Sequence, residues 1–204
     1  MNMEHIISKL DQHTPTILGS ENFLKYAVLL PLIRKDSEIH VLFEVRSLKL
    51  RRQPGEICFP GGRIDSEDTD ERGAAIRETI EELGIKGEEI SDVYPIDYLI
   101  SGFGMIVYPY VGFIDCPERI KPNPTEVGDI FTVPLSYFIE TEPEVYHVSF
   151  KAEPEENFPL NLLVGGENYN WQSRQMDEFF YIYENRVIWG LTARILSHFV
   201  EILR

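Results

Sequence analysis

The order of elements along the chain predicts an α+β fold, a mixed or antiparallel sheet covered by helices. Three observations carry this. Apolar runs of strand length stand on both sides of a single internal helical pattern; clusters of glycine, proline and aspartate separate them; and an amphipathic helical pattern closes the chain. In order, Met3–Leu10 is short and helix-compatible. Tyr26–Ile33 and Ile39–Val45, rich in Val, Ile and Leu, read as two strands around the polar turn Arg34-Lys35-Asp36-Ser37. Ile57-Cys58-Phe59 runs into Pro60-Gly61-Gly62, which must end regular structure. The acidic loop Arg63–Asp70 leads to the clearest helix, Glu71–Leu83, with Gly84 where a C-terminal capping glycine belongs. Val93–Ile100, Ile106–Ile114, Asp129–Val133, Val145–Phe150 and Phe179–Tyr183 read as strands. Gly190–Arg204 reads as a closing helix with Leu191, Ile195, Phe199 and Ile202 on its apolar stripe. The sequence has no internal repeat, and Pro117–Pro124 reads as a loop, so residues 1–204 are expected to form one domain.

Composition narrows the function classes. The 204 residues are 43% hydrophobic and 26% charged, ordinary values for a globular chain that can bury a sizeable core. With 19 basic and 34 acidic residues the formal charge is −15. A field of that sign repels nucleic acid and anionic membranes, so neither is expected as a partner. A phosphorylated substrate would need a metal ion or a local basic patch. Cys58 and Cys116 are too few for a disulfide framework or a zinc ribbon. The first residues lack a signal-peptide pattern, and there is no apolar run of about 20 residues. The expectation is a soluble, reducing, cytoplasmic protein.

The helix at Glu71–Leu83 carries the strongest chemical signal. At about 100° per residue from Glu78, Glu81 falls at about 300° and Glu82 at about 40°, while Ile76, Ile80 and Leu83 fall between about 140° and 200°. Three carboxylates on one face, spaced i, i+3 and i+4, repel one another and weaken a helix. The same convergence of hard oxygens suits a divalent cation such as magnesium.

Upstream, Arg46, Lys49, Arg51 and Arg52 place four positive charges within seven residues and no acid among them. In so acidic a chain this is a local reversal of sign. Arginine forks match phosphate oxygens, and Gly55, Gly61 and Gly62 let the backbone turn sharply beside a diphosphate.

Gly61-Gly62-Arg63-Ile64-Asp65-Ser66-Glu67-Asp68 followed by Arg77-Glu78-Thr79-Ile80-Glu81-Glu82-Leu83-Gly84-Ile85 resembles the Nudix box, G-x5-E-x7-R-E-U-x-E-E-x-G-U with U aliphatic. The second half matches closely, with Thr79 at the first aliphatic position. In the first half Asp68 replaces the loop glutamate, and eight residues rather than seven separate it from Arg77. The preceding segment, Leu42 to Gly62, is similar to the signature of the coenzyme A pyrophosphatase branch, L-L-T-x-R-[SA]-x3-R-x3-G-x3-F-P-G-G. Arg46, Ser47, Arg51, Gly55, Phe59, Pro60, Gly61 and Gly62 fall at its spacings, and Phe43-Glu44 replaces its L-T pair. That branch commonly carries the aspartate and the longer loop. Pro124-Thr125-Glu126-Val127 and Ile188-Trp189-Gly190-Leu191 extend the likeness.

The resemblance implies the Nudix fold, a mixed sheet in an α/β/α sandwich, and hydrolysis of the diphosphate of coenzyme A or a derivative with Mg2+ or Mn2+. It implies Glu78 and Glu82 as principal metal ligands, Glu81 as a third ligand or water-orienting group, and Arg77 as a brace. Glu126 is a candidate general base or supplementary ligand outside the box. Arg46, Arg51, Arg52, Gly61 and Gly62 are the implied substrate-binding residues, the arginines toward the 3′-phosphate. A nucleoside diphosphate derivative such as ADP-ribose or a dinucleotide stays open as substrate, as does a non-catalytic ligand-sensing module, and the sequence leaves self-association open.

Overall fold

The computed structural model describes residues 2–204. Its strands are β1 (Leu24–Lys35), β2 (Glu38–Arg46), β3 (Ile57–Cys58), β4 (Gly61–Arg63), β5 (Ile90–Pro95), β6 (Leu99–Ser101), β7 (Met105–Ile114), β8 (Val127–Pro134), β9 (Glu144–Phe150), β10 (Arg174–Tyr183) and β11 (Arg186–Trp189). Its helices are α1 (Met3–Asp11), α2 (Glu71–Leu83), α3 (Leu135–Glu140) and α4 (Gly190–Leu203).

β1 to β8 make one mixed sheet with the central order β3-β2-β1-β7-β5. β1 and β7 are parallel over Leu24–Leu32, β1 and β2 form an antiparallel hairpin, and β8 lies antiparallel to β2. The strand alternation sorts side chains to two faces. Ala27 and Leu29 meet Ala74 and Ala75 of α2 on one face, and Ile33 and Leu42 meet Leu83 there. Leu30, Val41, Phe43 and Phe59 point to the other face, against Phe138 of α3 and Ala193, Leu196 and Phe199 of α4. The mixed sheet between helical layers is the predicted architecture.

Three details depart from the pattern reading. The run Val93–Ile100 divides into β5 and β6, because β5 leaves its pairing with β7 at Pro95 and β6 then pairs with another stretch of β7. Strands β9, β10 and β11 form a separate antiparallel sheet, in which β10 starts at Arg174, five residues before the apolar part of its sequence. The closing helix buries Ala193, Ile195, Leu196, Phe199 and Val200, while Leu191 and Ile202 stand at its exposed margins. Among the described residues, no helix is long and apolar enough to cross a membrane.

Candidate active site

The site is assembled where α2 lies across the turn after β3. Asp70 caps α2, accepting the Gly73 N–H at 2.7 Å, and Gly84 closes it in the left-handed conformation. A side chain at Gly84 would strike the Lys121 carbonyl. That close approach brings the following loop onto the helix end, where Lys121 N–H donates to the Leu83 carbonyl at 2.9 Å and Asn123 N–H to that of Glu82 at 2.8 Å. These are carbonyls that a helix terminus leaves without internal partners. Thr79, the residue at an aliphatic position of the box, is fully buried and satisfies its hydroxyl by donating to the Ala75 carbonyl at 2.7 Å.

The glycine pair receives the helix carboxylates. Gly61 N–H donates to Glu82 Oε2 at 2.8 Å. A Cβ on Gly61 would collide with the backbone of β1, and one on Gly62 would collide with the Glu78 carboxyl. Glu78 is therefore seated directly against the turn. Arg77 braces this arrangement: its Nε and Nη2 donate to both oxygens of Asp68, at 2.8 and 3.0 Å, its Nη1 donates to Glu78 Oε1 at 2.8 Å, and its Nη2 also reaches the Arg63 carbonyl at 3.2 Å. Asp68 thus closes the longer loop with a bidentate pair.

The three helix carboxylates do not share one solvated face. Glu82 is buried and Glu78 nearly so, whereas the Glu81 side chain is 55% exposed and faces Arg77 at 3.7 Å. Burial raises the Glu82 carboxyl above its ordinary range; the Gly61 N–H opposes this, and Glu78 and Glu126 add to it. Burial likewise raises Glu78, against the opposing Arg77. Glu126 sits in the loop held to the end of α2, accepting from Asn123 Nδ2 at 3.3 Å, and its backbone carbonyl accepts the Ser47 N–H at 2.7 Å.

Pattern reading missed Glu44. It occupies the interior of β2, on the face that Leu42 turns toward α2, and it is 2% exposed. Its carboxyl neighbours that of Glu82, and its buried Oε1 has no partner. Burial, then the neighbouring Glu82, hold it well above the usual carboxylate range, with Arg46 opposing. The available signal was an acid between Phe43 and Val45 in an otherwise apolar strand, with the period-2 alternation placing it beside Leu42.

The basic segment separates into two parts. Arg46 ends β2, half-buried next to Glu44 and Glu82, with its Nη2 on the Arg52 carbonyl at 3.5 Å and its buried Nε unpartnered. Arg51 and Arg52 are exposed in the connection from β2 to β3. A cavity of about 390 Å³ begins at Arg46 and Cys58 and extends to Phe103, Trp189 and Arg194.

Among the described residues, no three acidic, histidine or cysteine side chains already converge closely enough to hold an ion. The donor set nevertheless fits a hard divalent cation. Glu44, Glu78, Glu82 and Glu126 act on one another around the glycine turn, all offer oxygen, and one buried carboxyl oxygen is unpartnered.

A family model for the NUDIX domain matches residues 24–144. The chain belongs to the Nudix family. It is 32% identical over 182 residues to the Nudix hydrolase NudL of Photorhabdus laumondii, covering 89% of this chain and 86% of that one. It is 41% identical over 123 residues to the peroxisomal coenzyme A diphosphatase NUDT7 of Mus musculus, 60% of this chain and 51% of the relative. Similarity to the peroxisomal coenzyme A diphosphatase ndx-8 of Caenorhabditis elegans is 38% over 122 residues, 55% and 48% of the two chains. The chain spans about half the length of these two diphosphatases. The Nudix fold and the box helix now account for the geometry: Glu78 and Glu82 of the box meet its two glycines in space, and Arg77 braces Glu78 and Asp68.

Proposed function

We propose that the chain, acting as one hydrolase domain, cleaves the diphosphate of coenzyme A or a derivative to 3′,5′-ADP and 4′-phosphopantetheine. The observation that carries this is the docking of Glu78 and Glu82 on the Gly61-Gly62 turn, which the segment resembling the coenzyme A signature enters through Phe59 and Pro60. Similarity to two coenzyme A diphosphatases supports the substrate class.

Glu78 and Glu82 would hold Mg2+ or Mn2+, with Glu81 reaching in from the solvent side as a third ligand or to orient water. A cation there screens the substrate's charge and stabilises the leaving oxygen. The protein's own part is positioning. Gly61 N–H fixes the Glu82 carboxylate, Arg77 fixes Glu78, and Gly62, having no side chain, leaves the space that the Glu78 carboxyl occupies against the turn. Glu126 takes the proton of the attacking water. Arg46 receives a phosphate oxygen at the mouth of the cavity, where Ile57, Leu99 and Met105 beside polar Gln53 and Thr192 suit the apolar stretches and amides of the pantetheine arm. Arg51 and Arg52 bind the 3′-phosphate by forked hydrogen bonds.

The test is a panel of coenzyme A, acyl derivatives, dephospho-coenzyme A, ADP-ribose and dinucleotides, incubated with Mg2+ or Mn2+ and with products identified by mass. Coenzyme A should give the highest kcat/KM. A higher value for ADP-ribose or a dinucleotide would transfer the assignment to that substrate class.

A further inference from the structure

Glu44 is a carboxylate that the box does not include, yet it reaches the box from the opposite side. Glu82 comes down from α2 and Glu44 comes up from β2, and the two carboxyls meet under the Gly61 turn. Glu82 has a fixed donor in Gly61 N–H; Glu44 Oε1 is fully enclosed and has none. Its neighbours across the sheet do not repair this: Cys58 faces it in register on β3 and Ile130 on β8. An enclosed carboxylate beside a second one is unfavourable unless a proton or a positive group joins them. Arg46, two residues further along the same strand, opposes only part of the charge and leaves its own Nε unpartnered.

We propose that Glu44 is an additional ligand for the divalent cation, binding it jointly with Glu82, so that the ion is held between strand and helix rather than by the helix alone. The proposal rests on the metal assignment of Glu82 but is independent of which diphosphate is cleaved. Threonine, which stands at this position in the signature the strand resembles, is too short and uncharged to serve in the same way.

The experiment measures Mn2+ binding to the full chain by calorimetry and by the electron paramagnetic resonance signal of free Mn2+, with no substrate present. Glu44→Gln keeps the volume and the capacity to hydrogen-bond Glu82 while removing the charge; Glu44→Thr removes the group. Both should weaken Mn2+ binding at least about tenfold, the lower end of what perturbing a metal site's supporting groups costs. Thermal melts provide a second reading. Without metal, Glu44→Gln should melt at or above the wild-type temperature, because a buried acid crowded against Glu82 becomes a neutral amide, and the rise on adding Mn2+ should shrink. Unchanged Mn2+ affinity in Glu44→Gln, with Glu82→Gln impaired, would overturn the role of Glu44 and leave the metal site standing. A metal-free Glu44→Gln that melts lower yet shows the full Mn2+ rise would also overturn it, by making Glu44 a structural support. If wild type binds no Mn2+, the metal reading of Glu82 fails and this proposal fails with it. If Mn2+ binds through Glu44 but coenzyme A is not cleaved, only the substrate assignment is lost.

Discussion

Two corners of the same helix show opposite ways of burying charge. At one, Arg77 reaches across to Asp68 and Glu78 as their shared positive partner; the Arg77 fork pulls the Asp68 carboxyl down to about 2. At the other, one turn along α2, Glu82 meets Glu44 and both are pushed up, first by burial. The first corner is complete as it stands and fixes the loop. The second leaves two buried acids side by side, and under the proposed function a cation would complete it. Within a single turn of helix, the Arg77–Asp68 pair holds the loop, while the crowded acids Glu44 and Glu82 mark a candidate for chemistry.

The comparison is broken most severely by Glu82→Gln. This change keeps the side-chain volume and removes the charge at the unmatched corner. Turnover with Mg2+ or Mn2+ should fall by at least about a hundredfold, and the fold should survive as judged by thermal melting. Wild-type activity persisting in chelator would contradict the metal assignment directly.

Arg51 belongs to neither corner, so Arg51→Ala should leave the metal dependence intact. It should instead erase the preference for coenzyme A over dephospho-coenzyme A. One hydrogen bond to a charged group is worth roughly 1.5–3 kcal/mol, about tenfold to a hundredfold in kcat/KM. Arg51→Lys should recover part of that preference. Equal rates on both substrates in wild type would remove Arg51 from the 3′-phosphate.

Gly84→Ala tests whether the helix end must be approached so closely. The left-handed conformation alone costs an alanine about 1–2 kcal/mol, and the Lys121 carbonyl adds a collision, so chemical denaturation should show a loss of at least about 1 kcal/mol. Activity should fall as well, because the same loop carries Glu126.

The mildest test is pH, and the two corners should respond with opposite sign. A carboxyl whose folded pKa is depressed adds stability above its unfolded value, and that stability is lost as pH falls through the folded value. For Asp68 the window runs from about pH 4 down to about 2. Glu44 and Glu82 are raised, so in chelator their contribution becomes more favourable as the pH drops from neutrality toward the ordinary glutamate range. Melts of wild type and Asp68→Asn should therefore diverge above pH 4 and converge below about pH 2, where the acid of wild type is also neutral.

The sequence showed the box helix with both of its ends, since Asp70 and Gly84 act locally and their roles depend on nearby residues. It showed the main strands for the same reason. It could not show that β9 to β11 leave the main sheet, because pairing partners are a matter of long-range contact, and β9 is exposed along nearly its whole length despite an ordinary strand-like pattern. Angles around a helix also misjudged which carboxylates are buried. They treated α2 as a rod with one dry side, whereas the glycine turn wraps a second side and encloses Glu82. Glu44 was legible as an oddity, an acid in an apolar strand, but its meaning depended on knowing that β2 and α2 face each other at that position.

Glu82 is bound at both ends of the residue. Its carboxylate takes the Gly61 N–H and its peptide carbonyl takes the Asn123 N–H. It is thus a crossbeam between two loops far apart in sequence, one entering through Phe59 and Pro60 and the other carrying Glu126. A displacement of either loop is transmitted through one rigid helical residue to the other. Any redesign of substrate preference that transplants the loop at residues 53–62 must therefore bring a compatible loop at 121–127 with it, since the two form one mechanical unit.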